Sequence, residues 1–255
     1  MHRFYLSPAE AAQPELTLSE RESHHALNVL RLRAGERVAV MDGAGGECLC
    51  EVTDTDKKAV RLAVKQRNRH EPLPYRITLL QAMTKGKSMD FIVQKATELC
   101  VHRIVPLAAE RSVVQVGSDD AQAKIEKWRS IAIDSIKQCG CPWLPEIEAP
   151  ITPHAQIGRN ETHNLSLIAS LQGNTRHPRE CVEEYAAEYG GSPESLCIWI
   201  GPEGDFTPAE SNEILSAGNL PITLGRVVLR SETAAVYTLA CLNYELQAPV
   251  RAHLS

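Results

Sequence analysis

Aromatic residues are scarce in this chain, 3 Trp, 6 Tyr and 3 Phe among 255 residues, which argues against a membrane barrel with its aromatic girdles. Long apolar runs are missing too. None reaches the roughly 18 residues needed to span a bilayer, and the opening MHRFYLSPAE lacks the basic-then-apolar layout of a secretory leader. The chain is therefore expected in the cytoplasm, away from membranes. Eight cysteines are present, but no two form a C-x-x-C pair; Cys48 and Cys50, like Cys139 and Cys141, are separated by one residue. That excludes a zinc ribbon and a thioredoxin-like redox motif, leaving reduced thiols packed as small hydrophobes and no metal site. A basic surplus is also lacking: 27 Lys+Arg face 32 Asp+Glu, for a net charge of −5. Any surface for nucleic acid must be a local patch.

Two rhythms divide what is present. The first seventy or so residues alternate in short runs, 37–41, 47–52 and 60–64, separated by turn signals at Asp42-Gly43 and at 54–57. One amphipathic helix is expected over 20–30, with Ser19 as N-cap and Glu22 three residues on. Val38 to Gly46 superficially resembles the glycine loop of a Rossmann-type nucleotide site, but that loop must open a helix. The alternating run that follows makes it a hairpin turn instead. The Pro-rich joint His70-Glu71-Pro72-Leu73-Pro74 marks a boundary, giving expected domains of 1–72 and 75–250.

Beyond the joint, strands and helices alternate. Strands are expected at 77–82, 104–107, 165–171, 196–200 and 222–224, and helices at 89–99, 121–137, 180–189, 207–217 and 232–247. This is the pattern of an α/β sheet covered on both faces. Thr207, Pro208 and Glu210 read as a capping box with proline at the first helical position.

Three segments concentrate chemistry at strand ends. In IWIGPEGDF (198–206) two glycines and a proline separate a strand from a capped helix, a layout suited to close backbone approach by a ligand and equally to an ordinary strand–helix turn. In LGRVVLRSETAA (224–235) Arg230, Ser231, Glu232 and Thr233 gather at a helix start, where exposed amides favour an anionic or carbonyl-bearing ligand. Ser231 as a plain N-cap and an Arg230–Glu232 surface ion pair explain the same cluster. In MTKGKSMDFIVQKATEL (83–99) Lys85 and Lys87 lie in a loop, followed by Gln94, Lys95 and Glu98 on one helix face, a stripe that solvation also explains.

Taken in order, KGKSMDFIVQKATEL, IGPEGDF and LGRVVLRSETA resemble the signature set of the bacterial 16S ribosomal RNA uracil-N3 methyltransferases, the RsmE family of the SPOUT superfamily. His2-Arg3-Phe4-Tyr5 and the stretch from His24 to Arg33 resemble that family's PUA-like RNA-binding domain, so the likeness spans nearly the whole chain. It implies an α/β methyltransferase domain tied in a C-terminal trefoil knot behind a small PUA-like β-barrel. The implied reaction is S-adenosyl-L-methionine-dependent methylation of uridine N3 in 16S rRNA of the small ribosomal subunit. Two alternatives remain: a SPOUT methyltransferase acting on a tRNA or another rRNA site, or a non-catalytic RNA-binding or ribosome-assembly protein. Three positions depart from the pattern: Asp205 stands where the last loop glycine is usual, Val227 where an arginine is usual, and Gln138-Cys-Gly-Cys141 where Gln-Ser-Gly-Arg is usual.

The resemblance implies that the donor sits against Leu171, Gly201, Pro202, Glu203, Gly204, Leu224, Gly225, Leu229 and Thr233. Uracil N3 must lose a proton, a task for a general base or a cation that stabilises the anion; Glu232 suits the first role and Arg230 the second. Arg3, His24, Arg31, Arg33, Lys85 and Lys87 are the expected RNA contacts. A homodimer through the last helix is also implied. Its stripe of Ala235, Val236, Leu239, Leu242 and Leu246 fits such an interface or burial within one subunit.

Overall fold

A computed structural model describes residues 1–56, 59–112, 118–171 and 173–247, with the backbone alone for 118–120. Two units are distinguished: residues 1–72 together with Ala132–Leu144, and Leu73–Ile131 together with the described residues from Pro145 on. The joint at 72–74 is a boundary in both readings, but 132–144 groups with the first unit.

The first unit begins with β1 (His2–Tyr5), α1 (Pro8–Ala11), β2 (Glu15–Thr17) and α2 (Glu20–His24). Then β3 (Arg37–Met41), β4 (Gly46–Asp56) and β5 (Ala59–Arg69) complete a mixed sheet of order β1-β3-β4-β5-β2, parallel only between β1 and β3. Alternation turns Val38, Val40, Cys48, Cys50, Val60 and Leu62 onto one buried face with Phe4 and Leu16. The turn at 42–46 is the hairpin expected there. Asp42 Oδ1 accepts from the amides of Ala44 (2.7 Å) and Gly46 (2.8 Å), and Gly43 and Gly45 take positive φ. The helix expected over 20–30 is α-helical only to His24 and continues as a π-helical turn, His25–Val29. Ser19 caps it, but Glu22 does not close the capping box; its carboxylate meets Lys137 Nζ at 2.7 Å.

The second unit carries β6 (Arg76–Ala82), α3 (Lys87–Glu98), β7 (Arg103–Leu107), β8 (Glu146–Ile147) and α5 (Pro153–Gly158), and α4 (Ser118–Cys139) begins in it but groups with the first unit from Ala132 on. It continues with β9 (Leu165–Ala169), α6 (Pro178–Tyr189), β10 (Ser195–Ile200), α7 (Pro208–Ser216), β11 (Leu220–Ile222) and α8 (Ser231–Gln247). All six strands are parallel, in the order β11-β9-β10-β6-β7-β8. Because every strand points the same way, the loops after them collect along one edge, where α/β sheets bind ligands. The last strand lies two residues earlier than the expected 222–224. The Thr223 amide donates instead to Arg176 O (2.9 Å), and Gly225 turns the chain at φ +115. The capping box of α7 forms as the sequence indicates, with Thr207 and Glu210 bonded reciprocally.

Helix α8 turns most of the expected apolar stripe inside its own subunit: Ala235, Leu239, Leu242 and Leu246 are buried, and Val236 is half-buried. Tyr237 and Tyr244 are its exposed large side chains. Among the described residues no helix is long and apolar enough to cross a membrane.

Candidate functional site

Three loops at the carboxyl edge of the parallel sheet enclose a cavity of about 220 Å³. Ala169, Ser170, Leu171 and Thr175 come from the loop after β9, and Ile200 to Glu203 with Asp205 from the loop after β10. The segment from Thr223 to Leu229, with Ser231 and Ala234 of α8, closes the third side. Gly225 and Gly201 keep side chains out of the way, and a Cβ on Gly201 would lie 2.9 Å from Asp205 Oδ1.

A buried relay fixes two of the loops to each other. Gln81 Nε2 of β6 donates to Ser231 Oγ (3.0 Å), and Ser231 Oγ donates to the Gly201 carbonyl (2.6 Å). Ser231 is the first residue of α8 rather than its N-cap, and its hydroxyl ties the start of that helix to the glycine–proline loop. Asp205 adopts φ +60, the left-handed conformation for which the family pattern uses glycine. Its Oδ1 accepts from the Phe206 amide at 2.8 Å, and its own amide donates to Pro202 O at 2.9 Å. Asparagine and aspartate tolerate this conformation because the short side chain can bond locally, as here.

Of the nine residues expected to hold a donor, Leu171, Gly201, Pro202, Glu203, Leu224, Gly225 and Leu229 line the cavity; Gly204 and Thr233 do not. Gly204 instead accepts at its carbonyl from Arg111 (2.9 Å). Arg230 is exposed and Glu232 half-buried, and neither side chain lines the cavity. No ion pair joins them among the described residues, so the surface-pair explanation of the cluster fails. Sequence reasoning missed Arg226, which does line the cavity; its one signal was its place beside Gly225.

The expected RNA contacts separate into groups. In the first unit Arg3 and His24 share a groove with His2, His25, Arg21 and Lys137. There the Arg3 guanidinium donates to the carbonyls of Lys137 and Gln138, both at 3.4 Å, and so closes the end of α4. Arg31, at φ +56, and Arg33 are exposed outside that groove. Lys85 is exposed in the loop after β6, whereas Lys87, expected in that loop, is exposed at the first residue of α3; both belong to the second unit.

Whether this cavity fits the donor implied by the sequence rests on its own atoms. Among the described residues the backbone N–H groups of Arg226, Val227, Val228 and Leu229 have no acceptor in the chain. Such a row of free amides, beside the apolar Leu171, Leu224 and Leu229, suits an adenine ring and polar tail held by backbone.

A family described as RNA methyltransferase domain matches residues 71–243, and one described as RNA methyltransferase PUA domain matches residues 18–65. A relative named ribosomal RNA small subunit methyltransferase E, from Aquifex aeolicus, is 32% identical, over 95% of this chain and 99% of its own length. Among solved structures, a putative methyltransferase from Legionella pneumophila, in complex with the bound cofactor SAM, superposes with a TM-score of 0.86 at 30% identity, covering 96% of this chain and 97% of that one. The ribosomal RNA small subunit methyltransferase E of Neisseria gonorrhoeae, bound to S-adenosyl methionine, gives 0.81 at 28%, covering 96% and 97%. With family models matching residues 18–65 and 71–243 and a relative matched along almost its full length, the chain belongs to the ribosomal RNA small subunit methyltransferase E family of RNA methyltransferases.

Proposed function

We propose that this protein transfers the methyl group of S-adenosylmethionine to N3 of a uridine in 16S rRNA of the small ribosomal subunit. The observation that carries this reading is the cavity itself: a row of free amides beside apolar side chains at the carboxyl edge of a parallel sheet, in a chain of this family. Leu171, Gly201, Pro202, Glu203, Leu224, Gly225 and Leu229 hold the donor, with Gly204 and Thr233 shaping the loops behind them. When bound, the donor supplies an electrophilic methyl on a sulfonium; the protein orients it and manages a proton. Arg230 stabilises the uracil anion as the N3 proton leaves, and Glu232 accepts that proton. Being unpaired with each other, both side chains are free to turn to a docked base.

Arg3, His24, Arg31 and Arg33 of the PUA domain, and Lys85 and Lys87 of the methyltransferase domain, contact the RNA backbone. The C-terminal loops, two of them joined by the bond from Ser231 Oγ to Gly201 O, would carry the trefoil knot of the SPOUT superfamily. The five-stranded N-terminal sheet would close as a barrel, and the reaction places the protein in the cytoplasm. A homodimer is supported by the apolar residues left exposed, Val227, Val228, Tyr237 and Tyr244. Incubating the protein with tritiated S-adenosylmethionine, purified small subunits and bulk tRNA tests the function. Label in 16S rRNA alone is expected; label in tRNA favours another target, and no label favours a binding protein.

A further inference from the structure

Beside Lys85 and Lys87, the second unit holds a small slot of about 170 Å³ that the donor site does not use. It lies at the same carboxyl edge of the sheet, where Met83 follows β6 and is held by its amide to Leu107 O at 2.9 Å. Its apolar walls are Met83, Met89 and Trp128, all buried. Two polar atoms in these walls lack partners among the described residues. Thr84, only 3% exposed, lines the slot with its hydroxyl unbonded there, and Asp90 lines it too, with Oδ1 buried and likewise unpaired among the described residues. The other carboxylate oxygen, Oδ2, meets Lys127 Nζ at 2.5 Å. Buried polar atoms are almost always satisfied in folded proteins, so two orphans in one pocket point to something that satisfies them.

We infer that this slot takes one unpaired nucleobase of the substrate RNA, next to the base that is methylated. A base offers flat faces to the Trp128 indole and the two thioethers, the stacking by which unstacked RNA bases are usually held. Its edge offers an N–H to Asp90 Oδ1 and an acceptor to the Thr84 hydroxyl, a pairing that uracil, cytosine and adenine each provide. Lys124 and Lys127 line the slot, and Lys85 and Lys87 lie exposed alongside it, suited to the phosphates on either side of that base. The uncapped start of α3 at Gly86 adds the positive end of a helix to the same place. The slot rests on the reading of this protein as an RNA methyltransferase and deepens it by naming a second nucleotide subsite.

The test uses the full chain carrying carbon-13 methyl-labelled methionine. Of its four methionines two line the slot, whereas Met41 lies in the first unit and serves as control. The four ribonucleoside monophosphates are titrated separately, and binding of 16S rRNA is measured on filters for the wild type and for Thr84→Val. At least one monophosphate is expected to shift Met83 and Met89 saturably without moving Met41. Thr84→Val is expected to weaken both nucleotide and rRNA binding by roughly 3–10-fold, the loss of about one hydrogen bond. If no monophosphate moves Met83 or Met89 up to about 10 mM, well beyond a weak subsite constant, while 16S rRNA still binds, the slot is overturned and the methyltransferase reading stands. Unchanged affinities in Thr84→Val overturn it in the same way. If 16S rRNA does not bind the wild type at all, the functional reading falls and the slot with it.

Discussion

Asp205 shows how one residue can leave a family pattern and keep its geometry. The backbone at φ +60 is the conformation a glycine would take for nothing, and the aspartate holds it through the Oδ1 bond to the Phe206 amide. Asp205→Ala removes the bond but keeps the unfavourable conformation, so it is expected to cost about 1–2 kcal/mol in urea denaturation. Asp205→Gly loses the bond and gains the freedom, and should fall within about 1 kcal/mol of the wild type. Equal losses in the two variants would contradict this account of the loop. Arg230 carries the sharper mechanistic weight. Its guanidinium is exposed at the start of α8 with no carboxylate partner among the described residues. Arg230→Ala is expected to slow single-turnover methylation by about 10²–10³ with donor affinity little changed. Near-normal turnover would shift the role to Arg226, which lines the cavity, or to Glu232.

At the scale of elements, local chemistry was readable and long-range choices were not. Thr207, Pro208 and Glu210 announce the start of α7 because a capping box closes within four residues. Glu22 failed the same rule because a distant lysine, Lys137, claims its carboxylate. The edge strands β1, β2 and β8 are short, and only their partners in the sheet reveal them. Likewise the glycine–proline loop and the run from Leu224 to Leu229 stand out in the sequence and line the cavity, whereas Ser170, Thr175 and Arg226 join it only through the fold. Helix α8 illustrates both sides. Its periodic stripe was plain, and burial within the subunit used it, leaving Tyr237 and Tyr244 outside. The dimer is therefore expected to rest on those tyrosines. Tyr237→Glu with Tyr244→Glu should convert a dimer to a monomer in light scattering at micromolar concentration, while a wild type that is already monomeric would remove the dimer from the account.

For the whole molecule, the methyltransferase unit carries a built-in sensitivity to acid. His163 is largely enclosed, and burial, aided by the nearby Arg103 charge, holds its pKa below the ordinary 6.5 against the pull of Glu161. The fold therefore prefers neutral His163, and the unfolded chain binds the extra proton first. Stability from this group is complete above about pH 6.5 and declines as pH falls through that value. Glu161, held below the usual carboxylate range chiefly by its hydrogen bond from Arg103, adds a second loss at more acid pH. Urea midpoints should thus drop between pH 7.5 and 5.5, and His163→Asn should flatten that segment; an unchanged slope would assign the loss elsewhere.

The central claim is that the cavity at 169–175, 200–205 and 223–234 serves methyl transfer to uridine N3 in small-subunit rRNA. The most direct measurement is mass spectrometry of nucleosides digested from 16S rRNA after reaction with a donor carrying a deuterated methyl. One deuterated 3-methyluridine per rRNA molecule, lost when Gly201→Trp fills the donor wall, is the predicted result. Deuterated methyl on another position or another base, or in that variant as much as in the wild type, would contradict it.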